Sequence, residues 1–507
     1  MSLALTRSIA LQGLHGEIVE IEVDVSHGLP AYTLLGLPDA ALFESRDRIR
    51  AAITNSRRIW PNKKVTVALS PAWLPKSGSG FDLPIALAIL AASEQLSLDQ
   101  CENTLFIAEL ALDGSLRGIR GLLPMAIAAR RHGITSLFVA DQNFHEANLL
   151  GDMQVLSFAH LTDVLHWIST GERSAAPTFE LEITANEKRA LDFADVGGQT
   201  EAKDALEIAA IGGHNALMIG PPGTGKTMLA ERFPSILPPL DREQAIEVTA
   251  IHSVAGILRE RSALSDLPPF IAPHHSTTVA AMVGGGSGQI RPGACSLAHN
   301  GILFIDEAPE CASGILDSLR QPLESGSVSI SRASGTITYP ARFQLILAAN
   351  PCPCGRFFGR GRSCECSSLQ VRRYLNKLSG PLMDRMDIRI LVESPRRGDL
   401  AGESCEESSS DIRIRVMRAR QRASERFDGE RFSLNSQIPS DLLRTKYRAS
   451  KDAMNRLHAL VDDETLTARG FHKVLRLAWS IADSRKIDLP GSAEVERALE
   501  LRNGLRT

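Results

Sequence analysis

The sequence predicts a multidomain α/β protein in which a phosphate-binding α/β core lies between an α+β N-terminal domain and a helical C-terminal domain. The segment Gly220-Pro-Pro-Gly-Thr-Gly-Lys-Thr227 follows a short apolar run and precedes a helical pattern, which is the strand–loop–helix context of a phosphate-binding loop. Strand-like and helix-like patterns alternate through residues 1–170, and helical periodicity dominates from Ile438 onward. The length of 507 residues suits two to four domains.

Composition and charge indicate an ordinary globular protein without a membrane span. Hydrophobic residues make up 43% and charged residues 23% of the chain, and the formal net charge of −3 does not point to a nucleic-acid binder, although it is compatible with a local basic face. No uninterrupted apolar run approaches the ~20 residues of a membrane-spanning helix. The segment from Met1 to Arg7 lacks the features of an export signal. The eight cysteines therefore indicate reduced thiols or metal ligands, and we expect a cytoplasmic protein.

The first 170 residues are expected to form one compact domain. Apolar residues alternate with charged ones from Val19 to Val25, which is the pattern of a half-buried strand. Pro38 opens a helical pattern whose apolar residues share one face. Further predicted strands are Val65–Leu69, Leu105–Ile107 and Leu137–Val139, and further predicted helices are Phe81–Leu96 and Pro124–His132. Residues 171–191 gather small, polar, proline and glycine residues, which predicts a linker.

Part of this domain resembles the proteolytic domain of Lon proteases. The similar stretches are Pro75-Lys-Ser-Gly-Ser-Gly80, an apolar helix and Ala108-Glu-Leu-Ala-Leu-Asp-Gly-Ser-Leu116. In that family a serine and a lysine form the catalytic dyad, and those two positions fall on Gly80 and Leu123. Acyl transfer needs a nucleophile and a base that activates it. We therefore expect residues 1–170 to form a Lon-protease-like domain that lacks the dyad and has no peptidase activity.

The phosphate-binding loop supplies both backbone and side-chain ligands for a nucleotide. Its glycines allow backbone N–H groups to face a polyphosphate, and the start of the following helix favours negative charge. Lys226 would reach the β- and γ-phosphates, and the Thr227 hydroxyl would bind Mg²⁺. The motif therefore predicts ATP and Mg²⁺ as cofactors. The predicted nucleotide-binding residues are Gly220, Pro221, Pro222, Gly223, Thr224, Gly225, Lys226 and Thr227.

Two later apolar segments end in polar residues that would complete such a site. Ile302-Leu-Phe-Ile-Asp-Glu307 has the Walker B form, in which Asp306 would hold Mg²⁺ through water and Glu307 would orient or deprotonate the attacking water. Phe343-Gln-Leu-Ile-Leu-Ala-Ala-Asn350 ends in an asparagine, which resembles the AAA+ ATPase sensor that contacts the γ-phosphate or the attacking water. Phe193-Ala-Asp-Val-Gly-Gly-Gln199 resembles the segment that covers the adenine in AAA+ ATPases.

A glycine-rich insertion separates the phosphate loop from the Walker B segment. It contains Pro273-His-His-Ser-Thr-Thr278 and Gly284-Gly-Gly-Ser-Gly-Gln-Ile-Arg-Pro-Gly293. The glycines alone favour a flexible linker, and the paired histidines lack a third ligand at metal spacing. Together with Leu297-Ala-His-Asn-Gly301, the insertion resembles the helix-2 insert of the magnesium-chelatase branch of AAA+ proteins. In ring-shaped relatives such inserts face the central pore.

Two Cys-x-Cys pairs follow Asn350 within an insert at residues 351–367. Four thiolates are a ligand set for one Zn²⁺ ion, although the spacing is tighter than usual, and four ordinary thiols are the alternative. The candidate zinc ligands are Cys352, Cys354, Cys364 and Cys366. Basic and aromatic residues lie between the pairs and suit either a nucleic-acid contact or a solvated basic loop. These residues are Arg356, Phe357, Phe358, Arg360 and Arg362.

Two arginines match positions that act in nucleotide hydrolysis. In magnesium-chelatase-like proteins the arginine of a Leu-x-Asp-Arg motif is the finger inserted into the neighbouring subunit's nucleotide, and this role maps onto Arg385. A guanidinium placed there stabilises the charge that develops on the γ-phosphoryl group. Arg469 falls where the sensor-2 arginines of helical lid domains lie. We therefore expect the ATPase core at residues 192–398 and a helical lid at residues 399–507.

The segment that joins core and lid is strongly charged. It is acidic from Glu403 to Asp411 and then becomes basic. On a helix the basic residues cover more than one side, so a solvated helix and a DNA-facing helix both remain open. The basic residues are Arg413, Arg415, Arg418, Arg420, Arg422 and Arg426.

The order of these parts resembles the YifB/ComM family of magnesium-chelatase-like AAA+ ATPases over essentially the whole chain. Phe81-Asp-Leu-Pro-Ile-Ala86 and the segment from Gly301 to Glu307 make the match specific. The resemblance implies a homo-hexameric ATP hydrolase and helicase that moves along single-stranded or branched DNA and promotes branch migration during recombination in natural transformation. The residues themselves support only a ring, since an arginine finger needs a neighbour. A metal-insertion ATPase of the magnesium-chelatase kind, and a nucleotide-switched adaptor or remodeller without DNA activity, remain as alternatives.

Overall fold

Two sheets and the helices around them form the N-terminal part of the protein. The structure is a computed structural model that describes residues 2–172, 191–258, 264–286, 290–332, 335–357, 364–394 and 406–504. The first strands are β1 (Ser2–Gln12), β2 (His15–Ser26), β3 (Ala31–Leu35), β4 (Lys64–Ser70), β5 (Thr104–Ile107), β6 (Glu109–Leu110), β7 (Leu116–Arg117), β8 (Ser136–Ala140) and β9 (Gln154–Phe158). The first helices are α1 (Ala40–Asn55), α2 (Asp82–Ala92), α3 (Leu122–Arg131), α4 (Phe144–Ala147) and α5 (Leu161–Thr170). One sheet has the order β1-β2-β4-β3, and a parallel sheet has the order β5-β8-β9.

Helix α2 is the centre of this part, because it is apolar on all sides and every residue from Leu83 to Leu90 is buried. The predicted helix Phe81–Leu96 ends early, at Ala92, because Ser93 leaves the helical conformation and Glu94 adopts a left-handed one with φ of 60°. At the other end, Asp82 is buried and accepts a hydrogen bond from Arg48 at 2.8 Å. Burial raises the pKa of Asp82 to about 6 despite this arginine.

The sequence patterns did not predict β1, nor the N-terminal elements β3, β6, β7, β9, α4 and α5. The clearest case is β1. β1 pairs antiparallel with β2 along its whole length, from Ser2 opposite Val25 to Gln12 opposite His15. Its pattern is misleading, because Leu3 is 70% exposed whereas the polar side chains of Thr6 and Ser8 are buried. Tertiary packing, not alternation, therefore makes this segment a strand.

The predicted dyad positions hold residues that cannot perform acyl transfer. Gly80 lies in a short 3₁₀ turn before α2, and Leu123 is buried in α3. The nearby Lys76 is fully buried and donates to the carbonyl oxygens of Leu69, at 3.0 Å, and Pro71. Ser79 donates to Glu109. The Lon-like character of this domain and its lack of peptidase activity stay predictions.

A five-stranded parallel sheet forms the centre of the phosphate-loop part, with the order β11-β14-β17-β10-β18. Its strands are β10 (Ala216–Ile219), β11 (Phe270–Ile271), β14 (Ile302–Ile305), β17 (Gln344–Ala349) and β18 (Ile388–Leu391). Two ribbons lie outside it, built from β12 (Gly284–Gly285) with β13 (Arg291–Pro292) and from β15 (Ser327–Arg332) with β16 (Gly335–Pro340). This part confirms the predicted α/β class with a parallel sheet. The order places the phosphate-loop strand β10 beside the asparagine strand β17, which in turn lies beside the Walker B strand β14.

Nine helices of the described chain accompany this sheet: α6 (Thr200–Gly212), α7 (Lys226–Arg232), α8 (Arg242–Ala255), α9 (Val279–Val283), α10 (Ala294–Leu297), α11 (Ser313–Ser318), α12 (Arg320–Ser325), α13 (Ser368–Leu375) and α14 (Gly380–Met383). The C-terminal part is helical, with α15 (Ser409–Arg426), α16 (Ser440–Arg444), α17 (Lys451–Asp462), α18 (Ala468–Arg485) and α19 (Ser492–Asn503). One hydrophobic cluster includes Ile346 of the sheet, Val416 of α15 and Val474 of α18, so the C-terminal helices share a core with the sheet. Among the described helices, none combines the length and apolar character that crossing a membrane requires.

Most of the basic series of α15 contacts other parts of the protein. Arg420 donates to the Ala210 carbonyl at 2.9 Å, and Arg422 donates to the Asp483 carbonyl. Arg415 pairs with Glu207, and Arg426 pairs with Asp483. Four of the six arginines therefore bind protein groups, which neither of the two interpretations of this helix anticipated.

Some predicted features lie outside the described residues. These are residues 173–190 of the linker, Phe358, Arg360 and Arg362 of the cysteine insert, and the start of the acidic run from Glu403 to Cys405.

Candidate nucleotide-binding site

The phosphate loop occupies the carboxyl end of β10 and needs glycine for two reasons. Gly223 and Gly225 have φ values of 76° and 92°, which side chains rarely tolerate. A Cβ atom on Gly220 would lie 2.2 Å from the Val392 carbonyl oxygen, so the loop also passes too close to the end of β18 for any larger residue. This backbone leaves N–H groups of the loop available for an anion.

Lys226 connects the loop to the end of the neighbouring strand. Its Nζ donates to the carbonyl oxygens of Gly220 at 2.7 Å and Pro221 at 2.9 Å, and to Oδ1 of Asn350 at 3.3 Å. Burial lowers the pKa of Lys226 from its usual value, and the carboxylates of Asp306 and Glu307 oppose that shift. The ammonium group therefore lies among all three predicted motifs.

Thr227 and Asp306 meet directly. The Thr227 hydroxyl donates to Oδ2 of Asp306 at 2.7 Å, and Oδ1 of Asp306 accepts the backbone N–H of Glu307 at 2.9 Å. One hydroxyl and one carboxylate, both solvent-accessible, form the oxygen donor set that Mg²⁺ takes beside a nucleotide phosphate. The residues present therefore fit a magnesium ion.

Glu307 lies two residues beyond the end of β14 and has an unusual backbone conformation. Its φ of 48° places it in the left-handed region, and its side chain is 50% exposed. Oε2 of Glu307 lies 3.6 Å from Nδ1 of His275, whose ring contacts that of His274 at a centroid distance of 4.0 Å and an interplanar angle of 35°. From the sequence, metal binding was the chemistry weighed for these histidines, and a contact with Glu307 was not predicted. The signal that could have found this contact is position, because the histidines follow β11, the direct neighbour of the Walker B strand.

The segment thought to cover the adenine also contacts the loop. Phe193 is buried, and its backbone N–H donates to Ser409 Oγ at 2.8 Å. Gln199, in a left-handed conformation with φ of 57°, donates from Nε2 to the carbonyls of Thr224 at 3.2 Å and Glu393 at 2.5 Å. Gln199 thus ties this segment to the phosphate loop and to the chain that follows β18.

The two predicted arginines lie away from this edge. Arg385 precedes β18 at its amino end and pairs with Glu324, while Arg469, at the start of α18, donates to Asp384 at 3.1 Å. Both line a cavity of about 960 Å³. Because the phosphate loop meets β18 at its carboxyl end, the length of this strand, about 13 Å for four residues, separates the arginines from the loop. The structure brings the two arginines together but not to the phosphate loop of their own chain.

The four cysteines of the two Cys-x-Cys pairs form one cluster, in which all the sulfur atoms lie within 4.8 Å of one another. The Sγ of Cys352 is 3.3 Å from that of Cys354 and 3.7 Å from that of Cys364, and the Cys354 and Cys364 sulfurs are 3.6 Å apart. These distances exceed the ~2.05 Å of a disulfide bond. Tetrahedral zinc with Zn–S bonds of about 2.3 Å requires sulfur separations of about 3.8 Å, so the donor set fits one zinc ion.

Known families and proteins match almost the whole of this chain. The family model described as magnesium chelatase, subunit ChlI, matches residues 192–400, and two further models, for subunit ChlI and for its C-terminal part, match residues 21–143 and 406–502. Competence protein ComM of Haemophilus influenzae is 42% identical over 489 residues, which cover 95% of this chain and 94% of that protein. Protein YifB of Escherichia coli is 40% identical over 505 residues, which cover 99% and 97%. The chain belongs to the YifB/ComM family of magnesium-chelatase-like ATPases.

The YifB/ComM relationship spans all parts of the fold described above. An uncharacterised protein of Mycobacterium tuberculosis is also similar, with 47% identity over 504 residues that cover 99% of each chain. Magnesium-chelatase ChlI proteins are AAA+ ATPases, and the chain is accordingly an AAA+ ATPase of this type. ATP and Mg²⁺ suit the residues gathered at the carboxyl edge of its sheet.

Proposed function

We propose that this protein is an ATP-driven DNA motor, a hexameric AAA+ helicase that promotes branch migration and recombination of DNA, as in natural transformation. The observation that carries the ATP-hydrolysing part is the hydrogen bond between Thr227 and Asp306, together with that between Lys226 and Asn350. These two contacts join three motifs that are remote in sequence at one edge of a parallel sheet. Ligands of open α/β sheets bind at this edge.

Each of these side chains has a distinct task in hydrolysis. Lys226 binds the β- and γ-phosphates, and Asn350, which contacts it, orients the γ-phosphate or the attacking water. Thr227 and Asp306 hold Mg²⁺, which supplies positive charge against the phosphate oxygens. Glu307 takes up or directs the proton of the attacking water. His275 is placed to orient the Glu307 carboxylate before attack.

The positions of the arginines support a ring. Arg385 and Arg469 lie at the opposite end of β18 from the phosphate loop, so their own nucleotide is out of reach. A neighbouring subunit that presents its phosphate loop to the cavity beside Arg385 would receive both guanidinium groups. Positive charge at that point stabilises the transferring γ-phosphoryl group.

The DNA substrate is supported by the relatives. The chain aligns with a competence protein over 95% of its length, and that extent favours a DNA motor over metal insertion. DNA binding through phosphates releases counterions and weakens with salt.

The deciding experiment measures ATP turnover by the full-length protein with no DNA and with single-stranded, duplex or forked DNA, each at two salt concentrations. We expect stimulation by DNA that falls at the higher salt concentration, and displacement of a labelled strand from a branched substrate. Turnover that is the same with every DNA would contradict the motor and leave the ATPase intact. It would favour the adaptor or the metal-insertion activity.

The four-cysteine cluster is proposed to hold a structural Zn²⁺ ion. A closed set of four protein ligands leaves no position for substrate, which is typical of structural zinc sites. The backbone N–H of Phe357 donates to the Cys352 sulfur at 3.3 Å, an outer-shell contact that stabilises a thiolate. Elemental analysis of the purified protein tests this, with one zinc per chain expected.

A further inference from the structure

The cysteine cluster lies directly against the nucleotide site. Cys352 is fully buried and follows the sensor residue Asn350 by two positions, at the end of β17. A displacement of the cluster therefore reaches Asn350 through a single intervening residue, Pro351, which is also buried.

Gly355 makes the second contact between the cysteine cluster and the nucleotide site. Its φ is 73°, and a Cβ atom there would lie 2.6 Å from Cδ and 2.7 Å from Cγ of Pro222. The turn that carries the first cysteine pair thus rests on the phosphate loop with no space for even a methyl group. The conformation and the close approach independently require glycine.

The second cysteine pair leads into helix α13. Cys366 is followed by Ser367, whose side chain caps α13. Tyr374 of α13 is buried, and Lys377, just beyond the helix, pairs with Glu310 at 3.6 Å. Glu310 lies three residues after the proposed catalytic Glu307. The cluster therefore joins the chain after Asn350, the phosphate loop and a helix that contacts the Walker B region.

We propose that the metal in the four-cysteine cluster positions the ATP site, by holding Gly355 against Pro222 and fixing Asn350 at the end of β17. One ion bound by both pairs closes the loop between Cys354 and Cys364 and removes the freedom of its ends. A displacement of about 1 Å at a reacting centre costs about 100-fold in rate, so a mobile sensor and phosphate loop lower turnover. This inference rests on the zinc site of the proposed function. The cysteines act as positioning residues and do not touch the nucleotide.

The first experiment compares zinc-loaded full-length protein with protein stripped by a zinc-selective chelator, both assayed in excess Mg²⁺. We expect metal removal to lower kcat/KM for ATP at least about tenfold, with unchanged helical content by circular dichroism, and Zn²⁺ to restore it. A stripped, folded protein with unchanged kcat and KM overturns the proposal. The variant Cys366→Ser, which removes one ligand, is expected to behave as the stripped protein does.

The second experiment tests the contact without touching a metal ligand. Gly355→Ala should keep one zinc per chain and raise KM for ATP several-fold, since the added methyl displaces Pro222. The matched control is Gly133→Ala, because Gly133 also has a positive φ, of 75°, but no atom lies within 4 Å of a Cβ there. Wild-type KM in zinc-loaded Gly355→Ala overturns the proposal.

These measurements separate the possible failures. A protein that hydrolyses ATP and contains no zinc when purified from zinc-supplied cells overturns the metal site and with it the positioning role, and it leaves the ATPase assignment intact. A protein that contains zinc and hydrolyses no ATP overturns the proposed function.

Discussion

Single side chains from distant parts of the sequence organise the nucleotide site. Thr227 and Asp306 are joined by a hydrogen bond, as are Lys226 and Asn350. Because these contacts are made between protein groups, the site is held in shape by its own residues.

Substitution of two of these residues should separate binding from chemistry. Lys226→Ala removes the ammonium group that contacts the phosphates, so we expect loss of ATP binding. Glu307→Gln keeps the size and polarity of the side chain but removes the base, so we expect normal binding and turnover lower by about 10²–10⁴-fold. Binding of a fluorescent ATP analogue and steady-state turnover measure the two effects. Full turnover in Glu307→Gln would show that the Walker B assignment is wrong.

The hydroxyl of Thr227 provides a test of the magnesium site. Thr227→Ala removes a proposed ligand, so we expect the Mg²⁺ concentration for half-maximal turnover to rise several-fold. Thr227→Ser is the matched control, because it keeps the hydroxyl and loses only a methyl group. A magnesium titration at saturating ATP measures this. Equal titrations for the Ala and Ser variants would exclude Thr227 as a ligand.

At the scale of elements, β18 separates the phosphate loop from the two arginines Arg385 and Arg469. Its carboxyl end reaches the phosphate loop, where the Val392 carbonyl limits residue 220 to glycine. Its amino end follows Arg385 and Asp384, and Asp384 binds Arg469. A single short strand thus places the phosphate loop and the arginines on different faces of the subunit. This geometry is what a ring with shared sites between neighbours needs.

Mixed assemblies should reveal this sharing. Arg385→Ala alone is expected to lower turnover by about 10³-fold or more. Lys226→Ala alone is also expected to abolish turnover, because it removes ATP binding. When the two variants are mixed, some sites combine an intact phosphate loop with an intact Arg385 from the neighbour, so turnover should partly return. ATP hydrolysis across a range of mixing ratios measures this.

The matched control is a mixture of two other variants, Lys226→Ala and Glu307→Gln. Both of these residues serve the nucleotide of their own chain, so no site in the mixture is complete and turnover should stay low. Recovery in the control, or none in the Arg385→Ala mixture, would contradict action on the neighbouring nucleotide.

At the scale of the whole molecule, the C-terminal helices are fastened to the sheet by a buried charge pair. Nζ of Lys473 on α18 lies 2.7 Å from Oδ1 of Asp387, which directly precedes β18, and these side chains are only 8% and 13% exposed. His214 adds a second contact to Asp387 at 3.6 Å. Burial opposes ionisation of Asp387, but Lys473 and His214 outweigh it and hold its pKa below the usual range.

Asp387→Asn should destabilise the protein by about 3 kcal/mol or more, because it leaves the Lys473 charge buried without its partner. The lowered pKa means that this contribution is present above the unfolded-state value of about 4 and is lost as pH falls below it. Thermal melting of wild type and variant should therefore differ at pH 7 and converge at lower pH. Glu496→Gln, which breaks the exposed pair with Arg456, is the control and should change stability by less than about 1 kcal/mol. A difference in melting temperature between wild type and Asp387→Asn that does not narrow in acid would contradict the stabilising role of the ionised Asp387.

Local patterns predicted much of the fold. The phosphate loop, the two strands that end just before Asp306 and Asn350, and seven of the fourteen described N-terminal strands and helices follow from alternation, helical periodicity and glycine placement, which depend on neighbours in sequence. β1 and the early end of α2 did not follow, because Thr6 and Ser8 are buried by packing and Ser93 and Glu94 end an otherwise apolar run. The arginines of α15 likewise look solvent-exposed or DNA-facing by pattern, yet Arg420 and Arg426 bind interior groups.

The sequence by itself determined the chemistry of this protein, that is, which residues could bind a nucleotide, which could bind magnesium, and which four thiolates could bind another metal ion. Tertiary structure alone decided their placement. Strand order brought β17 beside β10 and β14 beside β17. It also placed Arg385 at the end of β18 that lies away from the phosphate loop. The contacts of His275 with Glu307 and of Gly355 with Pro222 join segments that no local pattern relates. The physical reason is that motif chemistry resides in consecutive residues, whereas distance across a sheet depends on strand order and packing.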